Sequence, residues 1–279
     1  MTSKRTLIPR AVVVLLVALV CLAGTTMSPT RVHAAEQFTV NVDEGTSDFP
    51  NGLNFRLDVQ GQRTIRRIEL LYQAADLETL NLSVPDFEPA KRIELSHQVN
   101  FRSHYQPSGI DITYRWRLTD DRDNTFETEP KTLLWADTRF DWQPVTSGDV
   151  TVYAYNQNPA FNTIILESAQ STVDRLKTEF RVDQVTPIRI WVYNSRQDFT
   201  ATQQGNSTHW IAGTSYPQLH VILAILPEGN KREVGRVIPH EISHQILNQA
   251  TRNPFNVPPT WLDEGLAVLN QDNGNEDFP

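Results

Sequence analysis

His240-Glu241-Ile242-Ser243-His244 is followed at an interval by Trp261-Leu262-Asp263-Glu264-Gly265-Leu266-Ala267. Residues i and i+4 of a helix lie about 40° apart around its axis, so a helix over the first stretch carries both histidines on one face. Two neutral imidazoles placed in this way can take two corners of a zinc tetrahedron. Glu241 is too close in sequence to share that coordination comfortably. It sits beside the metal, where it can accept a proton from a water. Without a third ligand, the stretch reads as two surface histidines with a glutamate between them. Pro259 suits the first turn of a second helix, and Trp261, Leu262, Leu266 and Leu269 give that helix an apolar side. Glu264 could project from it to the metal. The nineteen residues between His244 and Glu264 suffice for a helix end, a loop and a reversal. Gly265 would let the two helices approach closely.

Upstream of this pair the pattern is mixed α and β. Val150 to Tyr155 and Ile188 to Tyr193 read as strands, the latter introduced by Pro187. Leu166, Ala169, Val173, Leu176 and Phe180 recur at helical spacing between them, with Asn162 as N-cap. Extended runs follow at His209 to Ser215 and Leu219 to Leu226. Helices then cover roughly 231–250 and 259–270.

Further upstream the period changes to two. Phe38, Val40 and Val42 alternate with polar residues, as do Leu53 to Val59, Ile93 to Phe101, and Ile110 to Leu118. Pro50-Asn51-Gly52, Pro107-Ser108-Gly109 and Asp120 to Asn124 supply turns. Short alternating strands separated by turns predict a β-sandwich. Tyr114-Arg-Trp-Arg-Leu-Thr-Asp120 resembles a strand and turn of immunoglobulin-like or fibronectin-III-like modules. The character changes near Pro144, which sets an all-β domain at 35–145 and an α+β domain at 146–279. Each is expected to have its own core, and residues 36–143 to fold alone.

The first residues carry a different signal. Lys4, Arg5 and Arg10 precede thirteen unbroken apolar residues, Ala11 to Ala23. A helix of that length covers roughly 20 Å, short of a hydrocarbon core of about 30 Å. Val32-His33-Ala34 presents small residues to a signal peptidase, so 1–34 reads as a signal peptide, with no stable membrane span left in the mature chain. Its removal takes away four cations (Lys4, Arg5, Arg10, Arg31) and no acid, moving the formal net charge from −8 to −12. That balance excludes nucleic acid and a polybasic hold on anionic lipid. The only cysteine, Cys21, leaves with the segment, so any metal must be held by His, Asp or Glu.

The two motifs together resemble the gluzincin zinc metallopeptidases, in particular the peptidase MA-like group related to thermolysin and the M1 aminopeptidases. The metzincin alternative would need Gly at 247 and His or Asp at 250, where this chain has Leu247 and Ala250. The resemblance spans roughly 150–270. It implies His240, His244 and Glu264 as ligands of one zinc per chain, with Glu241 as general base. Thermolysin-like enzymes place a carboxylate four residues after the glutamate ligand to orient a histidine. Val268 stands there, so that partner must come from elsewhere. Asp263 should point about 100° from Glu264 and reads as a solvated helix residue. Pro239 starts or kinks the helix. His209 and His220 read as packed or surface histidines, and Asp120, Asp121 and Asp123 as a solvated hairpin. Asn81-Leu-Ser83 and Asn206-Ser-Thr208 are sequons if the host glycosylates.

The resulting expectation is a secreted or cell-envelope zinc metallopeptidase acting on peptide or protein substrates. The peptide would lie on an edge strand formed by Ile211 to Ser215 or by Leu219 to Leu226. The sandwich is left to an unknown ligand. The rivals are a non-catalytic binding or adhesion protein with a degraded peptidase fold, and a zinc hydrolase for a non-peptide bond. Gluzincins usually carry a further helical subdomain after Glu264 that supplies a Tyr or His to the oxyanion, whereas this chain has no Tyr, His, Arg or Lys there. The resemblance therefore implies a C-terminally truncated fragment or a partner that completes the site.

Overall fold

The computed structural model describes residues 37–74, 77–102, 105–203, 212–251 and 258–272. The signal-peptide reading, Cys21, His209, Ile211, the Asn206 sequon and the tail from Asn273 lie outside the described residues. No helix among those described is long and apolar enough to cross a membrane.

The first sheet has seven strands: β1 (Phe38–Asp48), β2 (Gly52–Ala74), β3 (Asn81–Ser83), β4 (Ala90–Asn100), β5 (Ile110–Asp120), β6 (Thr125–Glu127) and β7 (Lys131–Trp135). β2 is its spine. Its first half pairs with β1 and β4, and its second half with β3 and β5. The register slips between Gln60 and Ile65 and again before Arg67. Phe55 touches the rings of Tyr114 and Trp116 at 4.9 and 6.1 Å, yet Trp116 is paired with Leu70. A straight strand from Phe55 to Leu70 would span about 50 Å, so the sheet doubles over at the slip and encloses its own core. Leu53, Phe55, Leu57 and Val59 are buried there with Ile112, Tyr114, Trp116 and Leu118. The second half of β2 escaped the alternation rule because Arg66, Arg67 and the adjacent Leu70 and Leu71 interrupt it at the bend. A bulge between Val40 and Val42 likewise turns Asp43 inward. Its carboxylate accepts from Trp116 Nε1 at 3.2 Å and pairs with Lys131 at 3.5 Å.

The second sheet runs in the order β11-β12-β10-β9-β8, with β8 (Gln143–Ser147), β9 (Val150–Ala154), β10 (Ile188–Tyr193), β11 (Gly213–Tyr216) and β12 (Val221–Ile225). Its three central strands are parallel, and β8 and β11 are antiparallel edges. Helix α1 (Pro159–Glu179) makes the crossover from β9 to β10. Its N-cap is Asn158, whose side chain accepts from the Ala160 N–H, with Pro159 at the first helical position. Asn162, the expected cap, is buried one turn inside. The short α2 (Arg196–Thr200), then α3 (Lys231–Thr251) and α4 (Thr260–Leu269), complete the chain.

β10 and β12 are buried on both faces. Ile188, Ile190, Val192, Ile222 and Ala224 pack under α1 and α3. Trp191, Tyr193, Val221, Leu223 and Ile225 belong to the core of the first sheet. The expectation of two separate cores is therefore corrected. Trp142 stands edge-on to Trp191 and Tyr193 at 4.9 and 5.1 Å, and Arg189 pairs with Asp111 across the junction. Gly109, at φ 95°, lies so close to the Trp191 indole that a Cβ would fall 2.1 Å from its Nε1. The division expected at 145 falls inside β8, which pairs with β9 throughout.

Candidate metal centre

α3 passes beneath β11 with His240 and His244 facing a cavity of about 470 Å³. β11 forms one wall of it and α4 another, bringing Asp263 and Glu264 to the histidines. The two imidazole Nε2 atoms lie 3.3 Å apart, and Glu264 Oε2 is 3.5 Å from that of His240 and 3.9 Å from that of His244. Ligand atoms on adjacent corners of a zinc tetrahedron are about 3.3 Å apart, so this N,N,O set fits a zinc-sized cation.

Burial, helped by neighbouring His244 and Arg236, pushes the His240 pKa down to about 4, so the ring is neutral near pH 7. Asp263 Oδ1 lies 2.7 Å from His244 Nδ1. A carboxylate only accepts, so Nδ1 carries the proton and Nε2 presents its lone pair. This corrects the solvated-helix reading of Asp263. Adjacent residues 100° apart on α4 suffice to meet the two sides of one imidazole, Glu264 near Nε2 and Asp263 on Nδ1. The side-chain amide of Gln271 lies 3.1 Å from His240 Nδ1. The amide nitrogen is the atom that faces the ring, so here Gln271 Nε2 donates and His240 Nδ1 accepts.

Glu241 is only 6 % exposed. Burial, with the Glu264 carboxylate adding to it, raises its pKa to about 7, against a lowering pull from His244, Arg236 and the Ser215 backbone. β11 reaches this carboxylate through Gly213, where a Cβ would stand 2.6 Å from Glu241 Oε1 and 2.9 Å from Val237 Cγ1. Gln245, fully buried, donates to Ser215 Oγ at 2.8 Å and to the Val221 carbonyl at 3.0 Å, tying α3 to β11 and β12.

α3 continues through Pro239 from Lys231. Proline has no N–H for the carbonyl four residues back, which is that of Gly235. The Asp272 backbone N–H takes its place at 3.0 Å. The approach needs a glycine, since a Cβ at Gly235 would stand 2.5 Å from Asp272 Oδ2. Asn270, also buried, donates to Ser243 Oγ at 3.1 Å and accepts from Arg175 at 2.7 Å. The segment after α4 is thus fastened beside the first histidine.

Other expectations resolve differently. Nothing lies within 4 Å of a Cβ built on Gly265, so the close approaches belong to Gly213 and Gly235. Trp261 and Leu269 are 75 % and 57 % exposed, and of the residues in α4 only Ala267 is buried. His220 takes a left-handed conformation before β12 and does not line the cavity. Asp120 is buried and accepts from the Arg122 and Asn124 N–H groups, so it builds its turn. Of the two candidate edges, β11 is the outer strand, and β12 lies inside the sheet.

Residues 168–277, which contain the whole cavity wall from β11 to α4, match the family model of the Peptidase MA superfamily. That match begins within α1 and takes in β10 to α4, leaving β8 and β9 outside it. No curated protein matches the chain. Among solved structures, a carbohydrate-binding module family 56 β-1,3-glucan binding domain aligns at 13 % identity and TM-score 0.21, over 34 % of this chain and 96 % of its own. A polysaccharide deacetylase from Bacillus cereus aligns at 9 % identity and TM-score 0.26, over 59 % of this chain and 53 % of its own, about half its length.

Proposed function

We propose that the protein is an exported zinc metallopeptidase that cuts peptide bonds with Glu241 as general base. The observation that carries this reading is the meeting of His240, His244 and Glu264, their ligand atoms all within 4.8 Å of one another, beside a buried Glu241 that is not among them. A zinc ion held by the three would supply Lewis acidity to the scissile carbonyl and to the attacking water. Glu241 takes the proton from that water and hands it to the leaving amine. Asp263 and Gln271 hold the imidazoles in place. The peptide lies extended and antiparallel along the outer edge of β11, where backbone groups bind it without regard to sequence. Burial of Glu241 against Gly213 keeps bulk water from competing for its proton. The N-terminal β module, immunoglobulin-like in its strand alternation, backs the catalytic sheet and is left to a ligand of its own. The basic, apolar N-terminal segment directs export.

The test uses the chain from residue 35, loaded with zinc, on unfolded protein and on a panel of peptide and ester substrates. The expected result is one zinc per chain and cleavage of peptide bonds. Glu241→Gln should keep the zinc and lose about 10²–10⁴-fold in turnover. Glu241→Gln turning over at the wild-type rate, or a loaded wild type that cleaves esters and no peptide, would overturn the reading.

A further inference from the structure

β11 is the cavity wall that touches Glu241, and four residues, Gly213–Tyr216, make the whole strand. Among the described residues it pairs with β12 alone, so no neighbouring strand holds its outer side. Successive side chains of a strand point to opposite faces. Gly213 and Ser215 face α3. A Cβ on Gly213 would meet Glu241, Ser215 Oγ accepts from Gln245 at 2.8 Å, and the Ser215 N–H reaches the Glu241 carboxylate. Tyr216 faces the other way and packs against the core of the first sheet. There its hydroxyl meets that of Tyr105, a residue between β4 and β5, at 2.8 Å. Tyr105 gives its one proton to the carbonyl of buried Thr202 at 2.7 Å, so Tyr216 is the donor between the two hydroxyls. The first sheet thus grips β11 on the face that α3 does not.

We infer that Tyr105 is a positioning residue for the reaction: acting through Tyr216, it sets where β11 stands against Glu241 and against a peptide laid along the outer edge of the strand. The N-terminal β module is then part of the peptide-binding apparatus, whatever else it binds. The inference rests on the metallopeptidase reading for the peptide, and not for the placement of β11. A short strand paired on one side is the kind of element that opens locally. Molecules in which it has opened do not bind, so apparent affinity falls with the fraction that remains competent. Tyr105 does not line the metal cavity, so its loss should act on binding and leave the chemical step.

The experiment compares zinc-loaded wild type with Tyr105→Phe, Tyr216→Phe and the double variant, which keep both rings and remove only hydroxyls. Amide hydrogen exchange at Gly213 to Tyr216 reports on β11 without any substrate, and Val152, in the middle of β9, is the control. Loss of one hydrogen bond should speed exchange in β11 about three- to tenfold and leave Val152 unchanged. KM for an unfolded protein substrate should rise by a similar factor while kcat stays within about twofold and zinc content is full. The double variant should match Tyr105→Phe, because the two hydroxyls serve one link. Unchanged β11 exchange in both single variants would overturn the inference. Faster exchange with unchanged KM would also overturn it, since the hydroxyls would then only brace the fold. So would single-variant effects on KM that multiply in the double variant, since the two would then act separately. If Tyr105→Phe does not fold, Tyr216→Phe decides alone. A wild type that cleaves no peptide counts against the metallopeptidase reading, and the exchange rates still decide whether Tyr105 places β11.

Discussion

Gly213→Ala adds one methyl group where β11 crosses Glu241. The new carbon would stand 2.6 Å from Oε1 and 2.9 Å from both Cγ of Glu241 and Cγ1 of Val237. Ordinary contact begins near 3.4 Å, so atoms must part by 0.5 to 0.8 Å on this side. Gly213 is not among the positive-φ glycines, so alanine brings no backbone strain. The group that yields is the carboxylate at the end of the Glu241 side chain, the proposed general base. Overpacking of this kind costs about 1–3 kcal/mol of stability, while a misplacement approaching 1 Å costs up to about 10²-fold in rate. The proposed zinc ligands are untouched. The expected outcome is therefore kcat/KM down about ten- to a hundredfold with full metal content. Gly265→Ala is the companion. It meets open space in the middle of α4, so it should stabilise by about 0.5–1 kcal/mol through helix propensity. Peptide hydrolysis, zinc content by mass spectrometry and calorimetric Tm read both variants. Wild-type kcat/KM in Gly213→Ala would refute the reasoning, and so would zinc lost in step with activity, which would mean that the wall collapses instead of the base moving.

Glu264→Ala should lose most of its zinc, and Asp263→Asn should weaken zinc by about 10–100-fold while leaving the fold intact; chelator competition and thermal melts measure the two, and unchanged affinity in either variant would remove that residue from the centre. The metal-free chain should show two opposing pH slopes. His240, held near 4 against 6.5 unfolded, makes stability fall as pH drops from 6.5 towards 4, because the unfolded state then binds the extra proton. Glu241, raised to about 7 from 4.5, makes stability fall as pH rises from 4.5 towards 7. Glu241→Gln removes only the second slope, so denaturant unfolding of metal-free Glu241→Gln should lose stability more steeply on acidification below 6.5 than wild type; a parallel profile would contradict this. Residues 37–142 expressed alone should give no cooperative unfolding transition, since their core is completed by Trp191, Tyr193 and Leu223; a sharp, β-rich melt would show that the junction is dispensable.

The meeting of His240 and His244 was legible because a helix converts i and i+4 into one face, and the place of Glu241, the proposed base, because it must then stand beside them. Glu264 was legible because its helix is marked by Pro259. The partners of the imidazoles were not. Asp263 looked outward on its own helix, and only the approach of α4 to α3 turns it onto His244. Gln271 and Gly213 carry no periodic signal at all, since their roles depend on which remote segment arrives. The shared core had left a trace: Val221 to Leu226 is an unbroken apolar run and Ile188 to Tyr193 is interrupted only by Arg189, and strands of that kind are covered on both faces. Helices on one side require a further layer on the other. Trp191 and Tyr193 indicate that the layer is aromatic.

Pro239 puts the regularity of α3 and the integrity of the metal centre in opposition. A residue with an N–H at that position would offer the Gly235 carbonyl a donor within the helix, in competition with the Asp272 N–H. The helix would gain a hydrogen bond, and the one that fastens the segment carrying Gln271 would be weakened. Selection for a more stable helix would thus pull against selection for metal retention at a residue that touches no metal. On the proposed zinc reading, drift at Pro239 would be filtered by loss of the metal, even where a stability screen rewarded it.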